Sequence, residues 1–208
     1  MEGSLKKEIW DIIRVANMRI FSYVVTRDHG FAPNPFHGVC TLATCKAVIR
    51  GVASVGDIVI GTRGSPRQNE IVYFMEIDEI LSFDQYWRDP RFQVKKPIVY
   101  GSMKYAHGDN IYHRGEDGEW IQEYSHHTFP DGNPSQENID TDTSRDKVLI
   151  GYNFCYWGDR SIRIPPELKD VIKEGRWHRS CFDEDFKRKV KDWLMRQDRG
   201  VIGDPMAW

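Results

Sequence analysis

The sequence has 208 residues, of which 40% are hydrophobic and 29% are charged, values typical of one globular domain with a single sizeable core. The formal net charge of −2 argues against a protein that coats nucleic acid through a strongly basic surface. The sequence has no apolar run near the ~20 residues of a membrane span, and its charged N-terminus is unlike a secretory signal. Four cysteines without a CxxC pair are typical of a reducing compartment, so we predict a soluble cytoplasmic protein without a metal site.

The N-terminal segment predicts a helix followed by a strand. Ser4 can cap the helix, and apolar residues recur on one of its faces. The strand covers residues 19–26, which are rich in β-branched and aromatic side chains. We therefore divide the chain into an N-terminal helical extension, residues 1–17, and a single domain, residues 18–208.

The next elements alternate loops and strands. DHGFAPNPFHG predicts a rigid, aromatic loop of the kind that often carries a site, whereas VCTLATCKAVIR fits either a short helix or a strand. Two strands are predicted at VGDIVIGT, residues 55–62, and IVYFMEIDEIL, residues 71–81. Residues 83–88 favour a helical turn or two, which Pro90 ends.

The C-terminal half predicts short aromatic strands between glycine turns, and then a helix. Residues 131–146 are polar and acidic without apolar periodicity, so we predict an exposed loop. Residues 147–165 predict a strand pair around Gly158-Asp159, and residues 183–199 predict a helix capped by Gly200. This order predicts an α+β fold around a curved, barrel-like antiparallel sheet with flanking helices.

Candidate ligand-binding residues are polar side chains flanked by aromatic rings, which suit a planar polar ligand. They form a loop, a cluster and a turn: Asp28, Asn34 and Phe36; Tyr105, His107, Asp109, Asn110 and Tyr112; Tyr156 and Trp157. The structural alternatives are Asx turns for the loop, a β-turn for the cluster and core packing for the rings.

Two acid–base sets are candidates for catalysis. A lysine whose pKa burial lowers can activate a neighbouring hydroxyl, and Thr44 with Lys46 and Glu76 offers such a set. The alternative is a threonine at a strand edge with an exposed lysine. His107 with Asp109 offers the second set.

Other titratable and basic residues carry less specific signals. His126 and His127 suit a metal or proton transfer, but adjacent residues of a strand point to opposite faces, so we predict no metal. Arg63 and Arg67 are candidate phosphate-binding residues, the alternative being a solvated surface.

The segment MRIFSYVVTRDHGFAPNPFHGVCTLATCK followed by VGDIVIGT resembles the bacterial and phage family called nucleotide modification associated domain 2. The segments GDNIYH, FCYWGD with IRIP, and the closing GDP tail also fit, so the resemblance covers residues 18–208. It implies a link to pathways that hypermodify DNA bases, often in phages or defence loci, without a settled activity.

A looser similarity is to the PUA-like superfamily (PUA, ASCH, EVE and YTH domains), whose pseudo-barrels often hold a modified base in an aromatic pocket. It implies a PUA-like pseudo-barrel here. Some ASCH-type members are amidohydrolases with a Thr/Lys/Glu set, which again singles out Thr44, Lys46 and Glu76.

Three hypotheses follow. The chain binds a modified base or nucleotide in an aromatic and polar pocket, or it is a hydrolase or transferase acting on one, or it is a partner protein that associates through residues 1–17. We predict a nucleic acid or nucleotide as ligand, no cofactor, no membrane, and self-association through the N-terminal helix.

Overall fold

The structure is a computed structural model that describes residues 18–208. The predicted N-terminal helix, and the self-association assigned to it, lie outside the described residues. The described strands are β1 (Ile20–Val25), β2 (Cys40–Leu42), β3 (Ile58–Arg63), β4 (Glu70–Glu76), β5 (Glu79–Leu81), β6 (Tyr112–Arg114), β7 (Trp120–Gln122), β8 (Val148–Gly151), β9 (Phe154–Tyr156), β10 (Ile162–Arg163), β11 (His178–Arg179) and β12 (Gly200–Val201). The described helices are α1 (Ala47–Val52), α2 (Phe83–Arg88), α3 (Met103–Ala106), α4 (Gln136–Thr143) and α5 (Glu184–Met195), with 3-10 helices at Pro90–Lys95, Gly158–Arg160 and Pro166–Val171.

The largest sheet has seven strands in the order β11-β1-β3-β4-β9-β12, and β10 also pairs with β4. Strands β1 and β3 are parallel, as are β9 and β12, whereas the other pairs are antiparallel. The fold is therefore α+β, as predicted, but its main sheet is mixed rather than wholly antiparallel. Because β11 and β12 end the order at opposite edges, these strands form no closed barrel.

Both faces of the main sheet are covered. Ile58 and Ile60 of β3 face a core cluster that includes Val190 and Leu194 of α5, whereas Val59 belongs to the cluster on the opposite face. This alternation follows from the two-residue period of a strand. Burial on both faces explains why the sequences of β3 and β4 are almost continuously apolar.

A second layer packs on the main sheet. It contains the three-stranded sheet β2-β8-β5 and the hairpin β6-β7. The strand predicted over residues 71–81 is in fact two strands, β4 in the main sheet and β5 in the smaller one. The chain passes between the sheets at residues 77–78, where Ile77 N–H donates to Asp57 and Asp78 N–H to Ile150.

The prediction of an exposed loop over residues 131–146 was wrong, because this segment contains α4. Ser135 caps the helix by accepting from Asn138 N–H, and the helix buries only Ile139 and Asp142. A helix that buries one apolar side chain and one carboxylate shows no apolar periodicity. It nevertheless brings Asp142 into the interior.

Two C-terminal predictions need correction. The helix predicted over residues 183–199 is present as α5 with Asp183 as its N-cap, but it ends at Met195, and Gly200 begins β12 with φ +81° instead of capping the helix. Strands β9 and β10 flank the turn at Gly158 but both pair with β4 and not with each other. The helices within residues 18–208 fall short of the length and hydropathy that a membrane crossing requires.

Candidate active site

A cavity of about 420 Å³ lies just beyond the carboxyl end of β1. Three segments form it: the loop after β1, the turn before α1, and the loop between β7 and α4. We call it the Cys45 cavity, and its walls include Tyr23, Arg27, His29, Phe31, Cys45, Lys46, His126 and His127.

The turn before α1 holds Cys45 in an unusual backbone conformation. Cys45 and Lys46 have φ values of +55° and +40°, a region that costs non-glycine residues of order 1–3 kcal/mol each. Cys45 N–H donates to Asp142 Oδ1 at 2.6 Å, and Arg50 Nε donates to the Cys45 carbonyl at 2.9 Å. Both peptide groups of Cys45 are thus fixed by buried charged side chains, which hold its thiol at the cavity wall.

Cys45, His127 and Asp142 form a linear chain of contacts. Cys45 Sγ lies 3.6 Å from His127 Nε2, and His127 Nδ1 lies 2.9 Å from Asp142 Oδ2. Asp142 is buried, and Tyr112 Oη donates to the same carboxylate oxygen at 3.0 Å. This is the thiol, imidazole and carboxylate order of a cysteine nucleophile, its general base and the group that orients the base.

The charge of His127 favours a reactive thiol. Burial by itself would lower the pKa of His127, but its hydrogen bonds to Asp142 and Cys45, and the negative charges of both, raise that pKa to about 9. An imidazolium next to a cysteine stabilises the thiolate, which is the nucleophilic form. The geometry therefore places an imidazolium beside the Cys45 thiol, with 3.6 Å between Nε2 and Sγ.

We expect His127 to contribute stability that is present below pH 6.5 and lost as the pH rises through 9. The reason is that its pKa is raised from 6.5 in the unfolded chain to about 9 in the folded one, a difference of about 3 kcal/mol. Burial lowers the pKa of Lys95 to about 8, so the contribution of Lys95 to stability increases as the pH rises above 8 and opposes that of His127. The free energy of unfolding is therefore measured by urea denaturation for the wild type and for H127Q at each pH, and the difference between the two is plotted against pH.

H113Q is the matched control for this comparison, because His113 pairs with Glu123 away from the Cys45 cavity. It should retain the wild-type pH dependence. Identical losses of stability in wild type and H127Q across this interval would show that His127 is not coupled to Cys45 and Asp142.

A second group of histidines lies across the cavity. The ring of His126 is centred 4.5 Å from that of His29 and 5.1 Å from that of His107. Partial burial, together with the neighbouring histidines, lowers the pKa of His126 to about 4, and burial likewise lowers that of His29. His29 and His126 are therefore neutral at pH 7, and both line the cavity with ring faces and hydrogen-bonding nitrogens.

The three residues of the contact chain are also a possible metal site. Ligand atoms of Cys45, His127 and Asp142 lie within 4.8 Å of one another. However, the imidazole lies between the thiol and the carboxylate, with one nitrogen directed at each. Each Asp142 oxygen also accepts a hydrogen bond already, from Cys45 N–H or from Tyr112. This arrangement suits proton transfer better than a shared ion.

Most of the predicted ligand-binding cluster lies in the core. Asp109 accepts from Thr41 Oγ1 at 2.7 Å and from Tyr86 Oη at 2.8 Å, and Asn110 donates to two carbonyls. Asn34 bonds the His107 carbonyl and the buried ammonium of Lys95. These contacts brace the fold, and none of the three side chains lines the Cys45 cavity. Their ligand role stays a prediction.

The predicted aromatic residues are dispersed. Tyr156 Oη donates to Asp28 at 2.5 Å in the interior, and Trp157 packs against Phe74. The remaining predicted rings have other neighbours: Phe36 stacks on Trp208, Tyr105 lies against His37, and His107 stacks on His29. Of these rings, His107 contacts the site by stacking on His29, and Tyr112 contacts it by donating to the carboxylate of Asp142.

The predicted catalytic set Thr44, Lys46 and Glu76 is not gathered at the cavity. Burial does lower the pKa of Lys46, which lines the cavity beside Cys45. Thr44 is buried and its hydroxyl has no hydrogen-bond partner among the described residues. Glu76 bonds Asn153 and lies 4.0 Å from Lys191, so of the three only Lys46 reaches the cavity.

The two arginines predicted to bind phosphate are engaged with protein groups. Arg63 donates to Ser161 and to the carbonyls of Gly158 and Asp159, and Arg67 pairs with Glu70 at 2.7 Å. Arg63 nevertheless lines a second cavity next to the first.

Sequence reasoning missed Cys45 and Asp142. No local pattern distinguishes Cys45 from the other three cysteines, and Asp142 lies in the segment predicted to be a loop. The consecutive positive φ values that mark Cys45 and Lys46 are visible only in the fold.

Residues 17–208 match the family model of nucleotide modification associated domain 2. The chain belongs to this family. No curated protein matches the chain, and no solved structure matches it. In this member of nucleotide modification associated domain 2, the whole Cys45 cavity lies inside the matched region. The family description gives a nucleotide-modification context without a reaction.

Proposed function

We propose that this protein is a cysteine-dependent acyl-transfer enzyme that binds a modified base or nucleotide and acts on its modification. The observation that carries the proposal is the contact chain from Cys45 Sγ through His127 to Asp142 at the wall of a cavity. A protein that only binds a ligand needs no ordered thiol, imidazole and carboxylate, whereas nucleophilic catalysis does.

The reaction proceeds in two halves. Cys45 Sγ attacks an amide or ester carbon of the substrate after its thiol proton has passed to His127 Nε2. The bond to the leaving group then breaks, that group takes the proton from His127, and a thioester on Cys45 remains. Water, or another nucleophile, gives its proton to His127 and attacks the thioester, which releases the acid or the transferred acyl product and restores the thiol.

The cavity supports a nucleotide as the substrate. The rings of His29 and His126 line it and are not buried, so they give flat faces, and Arg27 and Lys46 give positive charge. A ring-lined pocket for a modified base is also what the PUA-like similarity implies. The family description supports a nucleotide-modification context, which we place in DNA modification or phage defence. A thiol nucleophile functions in a reducing compartment, which supports the cytoplasm as its location.

The first test uses p-nitrophenyl acetate, a general acyl donor. We expect a burst of p-nitrophenolate close to one equivalent of protein, and an acetyl group on Cys45 by mass spectrometry. C45A should lose both. The matched control is C181A, which removes an exposed free cysteine elsewhere and should retain the burst.

A burst that survives in C45A, or acetylation of Cys181 in preference to Cys45, would contradict the proposal. If the protein keeps stoichiometric zinc after dialysis and C45A does not, Cys45, His127 and Asp142 are a metal site and not a catalytic set. Acyl-modified deoxynucleotides, monitored by mass spectrometry for removal or transfer of the acyl group, then identify the substrate.

A further inference from the structure

A second cavity, of about 690 Å³, adjoins the Cys45 cavity and shares Thr26 and Lys46 with it. A third depression, of about 750 Å³, shares Gln68, Lys173 and Glu174 with the second. The three form a continuous groove, which we call the Trp177 groove where it passes Lys46, Arg63, Lys173, Arg176 and Trp177. A groove that continues past the reactive thiol suits a chain-like ligand better than a single small molecule.

Positive charge is concentrated along this groove. Arg27, Lys46, Arg63, Lys173 and Arg176 line the first two cavities, and Glu174 is the one carboxylate among their described lining residues. The protein as a whole has a net charge of −2, so composition does not explain the concentration.

Lys46 is the cation that both cavities share. Its side chain is partly buried, its ammonium lies 4.5 Å from the centre of the Tyr23 ring, and no carboxylate within residues 18–208 forms an ion pair with it. Its charge can therefore contact a phosphate group at the junction of the two cavities.

Trp177 presents an aromatic face beside these cations. It is 76% exposed and has a φ of +73°, a conformation that non-glycine residues rarely adopt. An exposed tryptophan on a groove with lysine and arginine side chains is the combination that binds single-stranded nucleic acid by base stacking and phosphate contacts.

We infer that the Trp177 groove binds a single-stranded nucleic acid and places one of its bases in the Cys45 cavity. Trp177 stacks on a neighbouring base, and Lys46, Lys173 and Arg176 contact backbone phosphates. The inference rests on the proposed function for what happens to the base at Cys45, but strand binding itself does not require catalysis. A single strand should bind more tightly than a duplex, because a paired base must first be unpaired and unstacked before it enters the cavity.

The test is fluorescence anisotropy with a short fluorescein-labelled oligothymidylate. W177A should weaken binding by about tenfold, since stacking on one aromatic side chain contributes on this scale. The matched control is Y100A, which removes a ring that is 94% exposed and lines none of the three cavities. R176A should lower the slope of log K against log salt by about 0.7, whereas R88A, a substitution of an exposed arginine outside the groove, should leave the slope unchanged.

Three outcomes would overturn the inference: no binding of the oligothymidylate, equal losses in W177A and Y100A, or equal affinity for the same sequence as a duplex. If thymidine monophosphate competes as strongly as the oligothymidylate, the ligand of the groove is a free nucleotide and not a strand. Strand binding by the wild-type protein without a p-nitrophenyl acetate burst would support the groove and contradict the proposed enzyme. A burst without strand binding would contradict only the groove.

Discussion

D142N is expected to slow acetylation of Cys45 by p-nitrophenyl acetate by about 10²–10⁴-fold, the usual contribution of a positioned general base. In the native site, the Asp142 carboxylate accepts from His127 Nδ1 and leaves Nε2 free to take the proton of Cys45. The amide of D142N can instead donate to Nδ1, which places the imidazole proton on Nε2. In that tautomer His127 cannot accept from the thiol.

The control for this substitution lies on the same helix. Asp140 is exposed and bonds only Gln136 among the described residues, so D140N should acetylate at the wild-type rate. Because D142N also replaces the oxygen that accepts from Tyr112 Oη, its folding must be checked by circular dichroism.

Y112F offers a milder test of the same site. It removes one hydrogen bond to the Asp142 carboxylate and leaves the chain from Cys45 to Asp142 intact. We expect its acetylation rate to fall by less than tenfold, and the pH at which His127 loses its proton to shift. A folded D142N that acetylates as fast as D140N would show that His127 does not act as the base of Cys45.

R50M is expected to destabilise the protein by about 3–5 kcal/mol, because it removes one partner of a buried charge pair. Arg50 is 0% exposed and donates to four carbonyls at 2.5–3.0 Å, those of Cys45, Asp142, Arg145 and Lys147. Its guanidinium also lies 4.0 Å from the Asp142 carboxylate. For a chain of this length, such a loss lowers Tm by roughly 10 °C.

R91M is the matched control for R50M. The Arg91 side chain is 49% exposed, although it pairs with both Asp89 and Glu79, so its loss should cost about 1 kcal/mol or less. Thermal denaturation of both variants makes the comparison. Equal decreases of Tm in R50M and R91M would mean that Arg50 does not anchor the turn that holds Cys45. If R50M keeps both the wild-type stability and the acetylation burst, Arg50 has no role in positioning Cys45.

Several strands and helices follow directly from the sequence. The apolar runs of β1 and β3 predict buried strands, and the helices predicted over residues 83–88 and from residue 183 are present as α2 and α5. These elements depend on local properties, since periodicity and capping act within a few residues. The resemblance to nucleotide modification associated domain 2 likewise follows from continuous segments and is confirmed by the family match.

Other elements depend on contacts between distant segments. Whether β1 and β3 run parallel, and whether residues 71–81 form one strand or two, is decided by which sheet edges are available once the layers pack. Helix α4 forms because Ile139 and Asp142 find partners in the second layer, a gain that its own sequence does not show.

The sequence by itself determined the α+β class, the family and several of the elements around the site. Only the tertiary structure decided the site, because Cys45, His127 and Asp142 are separated by 82 and 15 residues in the chain. Each carries little local signal, and their chemistry exists only where packing brings them together. For the same reason, Asp109 and Asn110, which look like ligand-binding residues in the sequence, brace the core in the fold.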